Sequence, residues 1–193
     1  MVHDFKQSLE GSLVGNLLVA MPQMRDSRFI HGVILICGHD DKGAMGLVIN
    51  KHMESFFLSE LLNQLGIPMI FQSPQEPVHY GGPVEVGRGF VLHSTDVMKE
   101  GSVSINSWLA LSATMDILTH MAQGSGPKKR LCALGYAGWG AGQLENEIQE
   151  NAWLVVPAQE HILFDAPDDE KWFLALKSLG IKPDVLSLEL GHA

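Results

Sequence analysis

Val33-Ile-Leu-Ile-Cys37, His39-Asp-Asp-Lys-Gly43 and Met45-Gly-Leu-Val-Ile-Asn50 follow one another almost without interruption. The first is apolar at every position, so it reads as a strand covered on both faces and central in a sheet. The second is a polar loop with a glycine available for positive φ. The third is another apolar strand, and two strands joined so closely form an antiparallel hairpin. Upstream, Leu13 to Met21 reads as a further strand that leaves at Pro22. A polar loop, residues 23–28, follows it, and Phe29 and Ile30 open the next strand. Residues 3–10 read as a short leading helix.

Downstream, Leu58, Leu61, Leu62 and Leu65 form one helical stripe, with Gly66 placed as its left-handed cap. Residues 67–78 are a proline-bearing surface loop, and His79-Tyr-Gly-Gly-Pro-Val84 is a tight turn. Gly89–His93 and Trp108–Leu111 are strands. Ser112 or Thr114 caps a helix with Met115, Leu118 and Met121/Ala122 on one face. Leu131–Leu134 is a buried strand that ends in a glycine loop, Gly135-Tyr-Ala-Gly-Trp-Gly-Ala-Gly142. A short helix then turns Leu144 and Ile148 inward, and Ala152–Val156 returns as strand. Asp168, Asp169 and Glu170 suit the first turn of a last helix, whose core face is Trp172, Ala175, Leu176 and Leu179. Hairpin-linked strands with interspersed helices define an α+β fold, mostly antiparallel.

The chain has 193 residues, enough for one domain over residues 1–193 with a core that needs no disulfide or metal. Thirteen basic and 22 acidic residues leave a net charge of −9, which repels phosphate backbones and disfavours direct nucleic-acid binding. Lys128-Lys-Arg130 is the only basic cluster and reads as a solvated loop. Two cysteines, no signal-peptide pattern and no long apolar run point to a cytoplasmic protein with no membrane span. Nine histidines without ligand spacing call for no metal, and the absence of a complete phosphate-binding fingerprint calls for no cofactor.

Three features carry candidate chemistry. Glycines 138, 140 and 142 precede a helix, where bare N–H groups favour anions, but Gln143 replaces the third glycine of a dinucleotide loop. Glu145 and Glu147 would repel a phosphate there. Trp139, flanked by Gly138 and Gly140, either caps the core or stands in a groove as an anchor. Cys37 and His39 lie two apart on a strand and so share a face, where an imidazolium would activate the thiol. The competing reading makes Cys37 a small buried apolar residue, and no orienting carboxylate is identifiable for a catalytic dyad.

Several strings together resemble one family. They are Leu17-Leu-Val-Ala-Met-Pro22 with Asp26 and Phe29, the hairpin above, Tyr80-Gly-Gly-Pro-Val84, Gly89–His93 and Leu134-Gly-Tyr-Ala-Gly-Trp-Gly-Ala-Gly-Gln-Leu-Glu145. The chain is similar to the YqgE/AlgH family of bacterial proteins from about Gly11 to Asp165. The resemblance implies a single α+β domain with a curved, barrel-like sheet flanked by helices. It implies no catalytic residue, and the label of transcriptional regulator carried by one member defines no mechanism.

The residues therefore suggest a binding or regulatory module for a protein or small-molecule partner. Its groove would be lined by loops bearing Asp26, Gly81, Gly82, Gly138, Trp139, Gly140 and Gln143. A thiol-dependent enzyme or redox sensor using Cys37 and His39 is the alternative from a different class. A transcriptional regulator without a recognisable DNA-binding motif is the third.

Overall fold

The computed structural model describes residues 11–70 and 75–181; the helix expected over 3–10 lies outside them. β1 (Asn16–Ala20), β2 (Val33–Asp40) and β3 (Gly43–Val48) run antiparallel, and β2–β3 is the expected hairpin. β2 is sandwiched as its composition requires. Val33 and Leu35 join one core cluster and Ile34 and Ile36 another, all with no exposed surface. Phe29 and Ile30 do not open this strand. The Phe29 N–H donates to Asp26 O and the Gly32 N–H to Phe29 O, so those groups close turns instead of joining the ladder.

The remaining strands are β4 (His52–Phe57), β5 (Pro77–Tyr80), β6 (Val84–Ser94), β7 (Val103–Ser104), β8 (Leu109–Ser112), β9 (Arg130–Gly140) and β10 (Trp153–Pro157). Among the described residues the ten strands form one curled half-barrel in the order β10-β1-β2-β3-β9-β6-β8-β7. β5 lies against β9 in parallel, with β4 outside it; the other pairings are antiparallel. The α+β, mostly antiparallel class read from the sequence is therefore the observed one.

α1 (Leu58–Gln64) buries Leu58, Leu61 and Leu62, as their spacing dictates, but Leu65, expected on the same stripe, is the C-cap and 41% exposed. α2 (Met115–Ala122) buries Ile117, Leu118, Met121 and Ala122, but its first residue, Met115, is 48% exposed. These two helices cover β5, β6 and β9 through a third core cluster. α3 (Gln143–Gln149) and α4 (Asp168–Ser178) cover opposite faces of β1–β3, with Leu144 in one cluster and Trp172, Ala175 and Leu176 in the other. A single π-helical turn, His161–Asp165, adds Ile162 and Leu163 to the latter. No described helix is long and apolar enough to cross a membrane.

β9 departs most from expectation. The glycine string is not a loop: the strand continues through Tyr136, Ala137, Gly138 and Trp139, which pair with Met45 and Ala44 of β3 among others. Gly135 allows this by adopting φ +74, which bends β9 from its β5–β6 neighbours toward β3. A Cβ on Gly135 would lie 2.4 Å from Gly82 O. Gly135→Ala is therefore expected to cost roughly 2–4 kcal/mol, through left-handed strain plus this clash, in equilibrium urea unfolding.

Candidate functional site

Two separate concave regions bring polar and apolar side chains together. The first is a shallow groove of about 850 Å³ between the β2–β3 hairpin and the start of β6, with His39, Gly138, Trp139, Tyr136, Val84 and Val103 in its walls. Trp139 is not the free indole expected of a glycine-flanked loop. Only 8% of it is exposed, because β9 is a ladder strand and turns this side chain onto the second core cluster. There its ring meets Trp153 edge-on at 6.2 Å. Both indole N–H groups donate to Glu147 Oε2, at 2.9 and 2.8 Å, while Gln143 Nε2 donates to Oε1. Gln143 Oε1 in turn accepts from the exposed Gly140 N–H.

The other expected groove residues are placed elsewhere. Asp26 forms a fork with Arg28, whose guanidinium holds the carboxyl below the usual range. Gly81 and Gly82 are buried against the β9 backbone, where a Cβ would come within 2.2 Å of Gly135 O and 2.1 Å of Tyr136 C. Their role is close packing. Of the predicted set, only Gly138 and Trp139 line the groove, and Trp139 does so with little of its surface.

The Cys37–His39 pair does not assemble. A β-bulge between Ile36 and Gly38 inserts a residue, which reverses the side-chain alternation that would have put both on one face. Cys37 packs on the first core cluster, and burial pushes its thiol up to about 12. His39 instead accepts the Leu13 N–H at Nδ1 (3.0 Å), so its Nε2–H donates to Glu145 Oε1 (2.7 Å). His93, near the end of β6, is buried in a bond network of its own: its Nδ1 donates to Ser94 O and its Nε2 accepts from Ser112 Oγ.

The second region is a polar cleft of about 620 Å³ that sequence reading missed. His52 and His79 are cross-strand partners on β4 and β5 and therefore share a face. Asp168, in the first turn of α4, accepts from His52 Nδ1 at 3.1 Å and from His79 Nε2 at 3.0 Å. Lys171, only 3% exposed, donates to Asp168 Oδ1 at 2.9 Å and to Ile49 O at 2.8 Å. Arg130 and Glu76 pair at the same cleft. Burial opposes the ionised Asp168, yet His79 and Lys171 together hold its carboxyl far below the carboxylate range. Burial also pulls the Lys171 ammonium below the ordinary lysine range, against the attraction of Asp168. No three His, Cys, Asp or Glu side chains among the described residues converge on a metal position. The one local cue in the sequence is the i, i+3 spacing of Asp168 and Lys171.

With this geometry the molecule is a curled α+β half-barrel bearing a glycine-floored groove and a separate charge-paired cleft. The AlgH-like family profile matches residues 17–184, and the chain belongs to that family. It is 47% identical to a UPF0301 protein of Rhodospirillum rubrum over 187 residues, 97% of each chain. A UPF0301 protein of Paracoccus denitrificans is 51% identical, covering 94% of this chain and 97% of its own. The solution structure of the AlgH protein from Pseudomonas aeruginosa superposes with a TM-score of 0.76 at 41% identity, over 98% of this chain and all of that one. A Corynebacterium diphtheriae protein shares the fold at 20% identity, with a TM-score of 0.75 and coverage of 97% and 99%.

Two outcomes follow from these sites. Asp168→Asn leaves Lys171 as a buried, unneutralised charge and is expected to cost about 3 kcal/mol. Because the folded carboxyl titrates below its unfolded counterpart, the wild-type contribution is complete above about pH 4 and is lost as pH falls further. Urea unfolding of both chains between pH 7 and pH 3 reads this as a gap that narrows toward acid. Separately, Cys37 is expected to resist iodoacetamide at pH 8 in the folded protein and to react once unfolded in guanidinium, as mass spectrometry will show.

Proposed function

We propose that this protein is a binding or regulatory module that receives an extended peptide segment of a partner protein in the groove between the β2–β3 hairpin and β6. The observation that carries this reading is the groove's floor. Gly38 and Gly138 line it, and neither owes its missing side chain to backbone crowding: a Cβ at Gly38 would meet only Met45 Cβ at 4.0 Å, and one at Gly138 only Tyr136 and Val84 side chains at 3.4 Å or more. Gly38 stands beside the β2 bulge, which by itself accounts for a glycine, whereas Gly138 has no such cause, and a strand glycine of that kind marks a place where another backbone can come close.

The rim supports the same partner chemistry. Val103, 59% exposed, stands on β7, the outermost strand of its end of the sheet, and Val84 is 36% exposed. An open strand edge beside an apolar groove is what an incoming strand uses, its main chain pairing while alternate side chains enter the groove. Cys37 and Cys132 are both unpaired thiols, in keeping with a reducing, cytoplasmic setting. Burial of the Cys37 thiol, and its separation from His39, weigh against a thiol enzyme.

Selection of peptides from a random display library on the wild-type chain tests the proposal. The expected winners alternate apolar and polar residues and lose binding at least tenfold to Gly138→Leu and to Val103→Glu, but keep it for Phe173→Ser on α4. Winners that bind all three variants equally, or no enrichment at all, would remove the groove as a peptide site.

A further inference from the structure

A continuous chain of hydrogen bonds runs from the interior toward the surface across β6, β8 and the turn before β7. His93, on β6, is fully buried, and its Nδ1–H donates to Ser94 O at 2.9 Å. A carbonyl oxygen only accepts, so Nδ1 carries the proton and Nε2 presents a lone pair. That lone pair accepts from Ser112 Oγ, on β8, at 2.8 Å. The Ser112 hydroxyl has then given its only proton, so its 2.7 Å bond with Ser102 Oγ is donated by Ser102. The direction of every bond in the chain is thereby fixed.

Burial of His93 does not call for this length. A buried imidazole nitrogen needs one partner, and Ser112 supplies it. The chain nonetheless goes on by one more hydroxyl and ends at Ser102, which is partly exposed. A tight turn holds Ser102 there: its N–H donates to Lys99 O at 2.9 Å, and its Oγ accepts the Lys99 N–H at 3.0 Å. Gly101, immediately before it, adopts φ +83.

The surroundings suit a substrate. Gly101 and Val103, on either side of Ser102, both line the groove between the β2–β3 hairpin and β6, and their neighbours there include the apolar Val84, Phe90 and Leu111. Neither the Glu100 nor the Gly101 N–H has an acceptor among the described residues. Both are open to an oxygen that gains negative charge beside Ser102. Burial pulls the His93 imidazole below the ordinary histidine range, which keeps it neutral and able to accept a proton. The Asp96 carboxylate, which accepts from Ser94 Oγ, favours the imidazolium that results.

We infer that Ser102 is the nucleophile of an esterase site at the groove rim, with His93 as the base that takes its proton through Ser112, and with esters of apolar carboxylic acids as the substrate class. Hydroxyl, relay and neutral base stand in series, which is how a serine is made reactive. Ser102 Oγ bonds to the ester carbonyl carbon as its proton passes to Ser112 Oγ and the Ser112 proton passes to His93 Nε2. The bond to the alcohol oxygen then breaks, and that oxygen takes a proton back along the same path. Water repeats the sequence on the acyl-serine and releases the acid, so ester and water give acid and alcohol. The inference does not rest on peptide binding, since a small ester needs only the rim.

The full chain is treated with an alkyl fluorophosphonate, which joins an activated serine with loss of fluoride, and the adduct is mapped by mass spectrometry. Hydrolysis of p-nitrophenyl butyrate is the second readout. One adduct, on Ser102, is expected. Ser102→Ala and Ser112→Ala should each slow hydrolysis by about a hundredfold, the lower end of what general-base assistance supplies. Ser112→Thr keeps the hydroxyl, and its added methyl has room in the small cavity beside α2 that Ser112 lines, so it should restore most of the rate. Ser104→Ala should change nothing. The inference is overturned by the absence of an adduct, by an adduct on another serine, by Ser102→Ala hydrolysing as fast as the wild type, or by Ser112→Thr being as slow as Ser112→Ala. Should the Ser112 variants fail to fold, Ser102→Ala, at a partly exposed position, decides alone.

Discussion

The contact on which the rest of this molecule depends is made by main chain alone. After β5 the chain turns through Gly81 and Gly82 and presses on β9 so closely that a Cβ at either position would fall within 2.3 Å of β9 backbone. Gly135 answers from the other side, where a Cβ would strike Gly82 O. Two hydrogen bonds fix the crossing: Gly81 N–H donates to Leu134 O and Val48 N–H to Gly81 O, at 2.8 and 2.9 Å. The end of β3, the end of β5 and the middle of β9 are thereby tied at one point. β9 bends there, leaves β5 and β6, and delivers Tyr136 and Trp139 to the neighbourhood of β3.

Most polar groups around this frame are consumed in pairs that hold elements together, although His79 Nδ1 is buried without a hydrogen-bond partner. Glu147 receives two indole N–H groups and so fastens α3 to β9 and β10. Asp168 gathers His52, His79 and Lys171 and fastens α4 to β4 and β5. A charged group inside must find partners, and here they come both from close by, as Trp139, Trp153 and Lys171 do, and from far along the chain, as His52 and His79 do. Open space lies in the groove, where Gly38 and Gly138 carry no side chain although a Cβ at either would meet no backbone atom.

Much of the frame can be read from the chain directly. The all-apolar run Val33–Cys37 is a strand packed on both faces, Leu58, Leu61 and Leu62 of the leucine stripe face inward although Leu65 does not, and Gly66 takes the positive φ its position suggests. These readings hold because they rest on local properties, namely side-chain periodicity and the allowed φ of glycine. The failures share one cause as well. Gly135–Gly140 looked like a loop because glycine density signals turns, yet its pairing with β3 makes it strand. Trp139 looked solitary because Trp153, its neighbour, lies on another strand. Cys37 and His39 looked co-facial because a bulge leaves no mark in the residue order.

What this sequence determines by itself is the fold class, the central hairpin, most element positions and the family to which the chain belongs. Tertiary structure alone decides which glycines are crowded and which are open, which indole N–H meets which carboxylate, and that His52, His79, Asp168 and Lys171 form one cluster. The division follows from range. Periodicity and φ preference act over a few residues, whereas strand register and backbone crossing are settled between segments that meet only after the chain has folded.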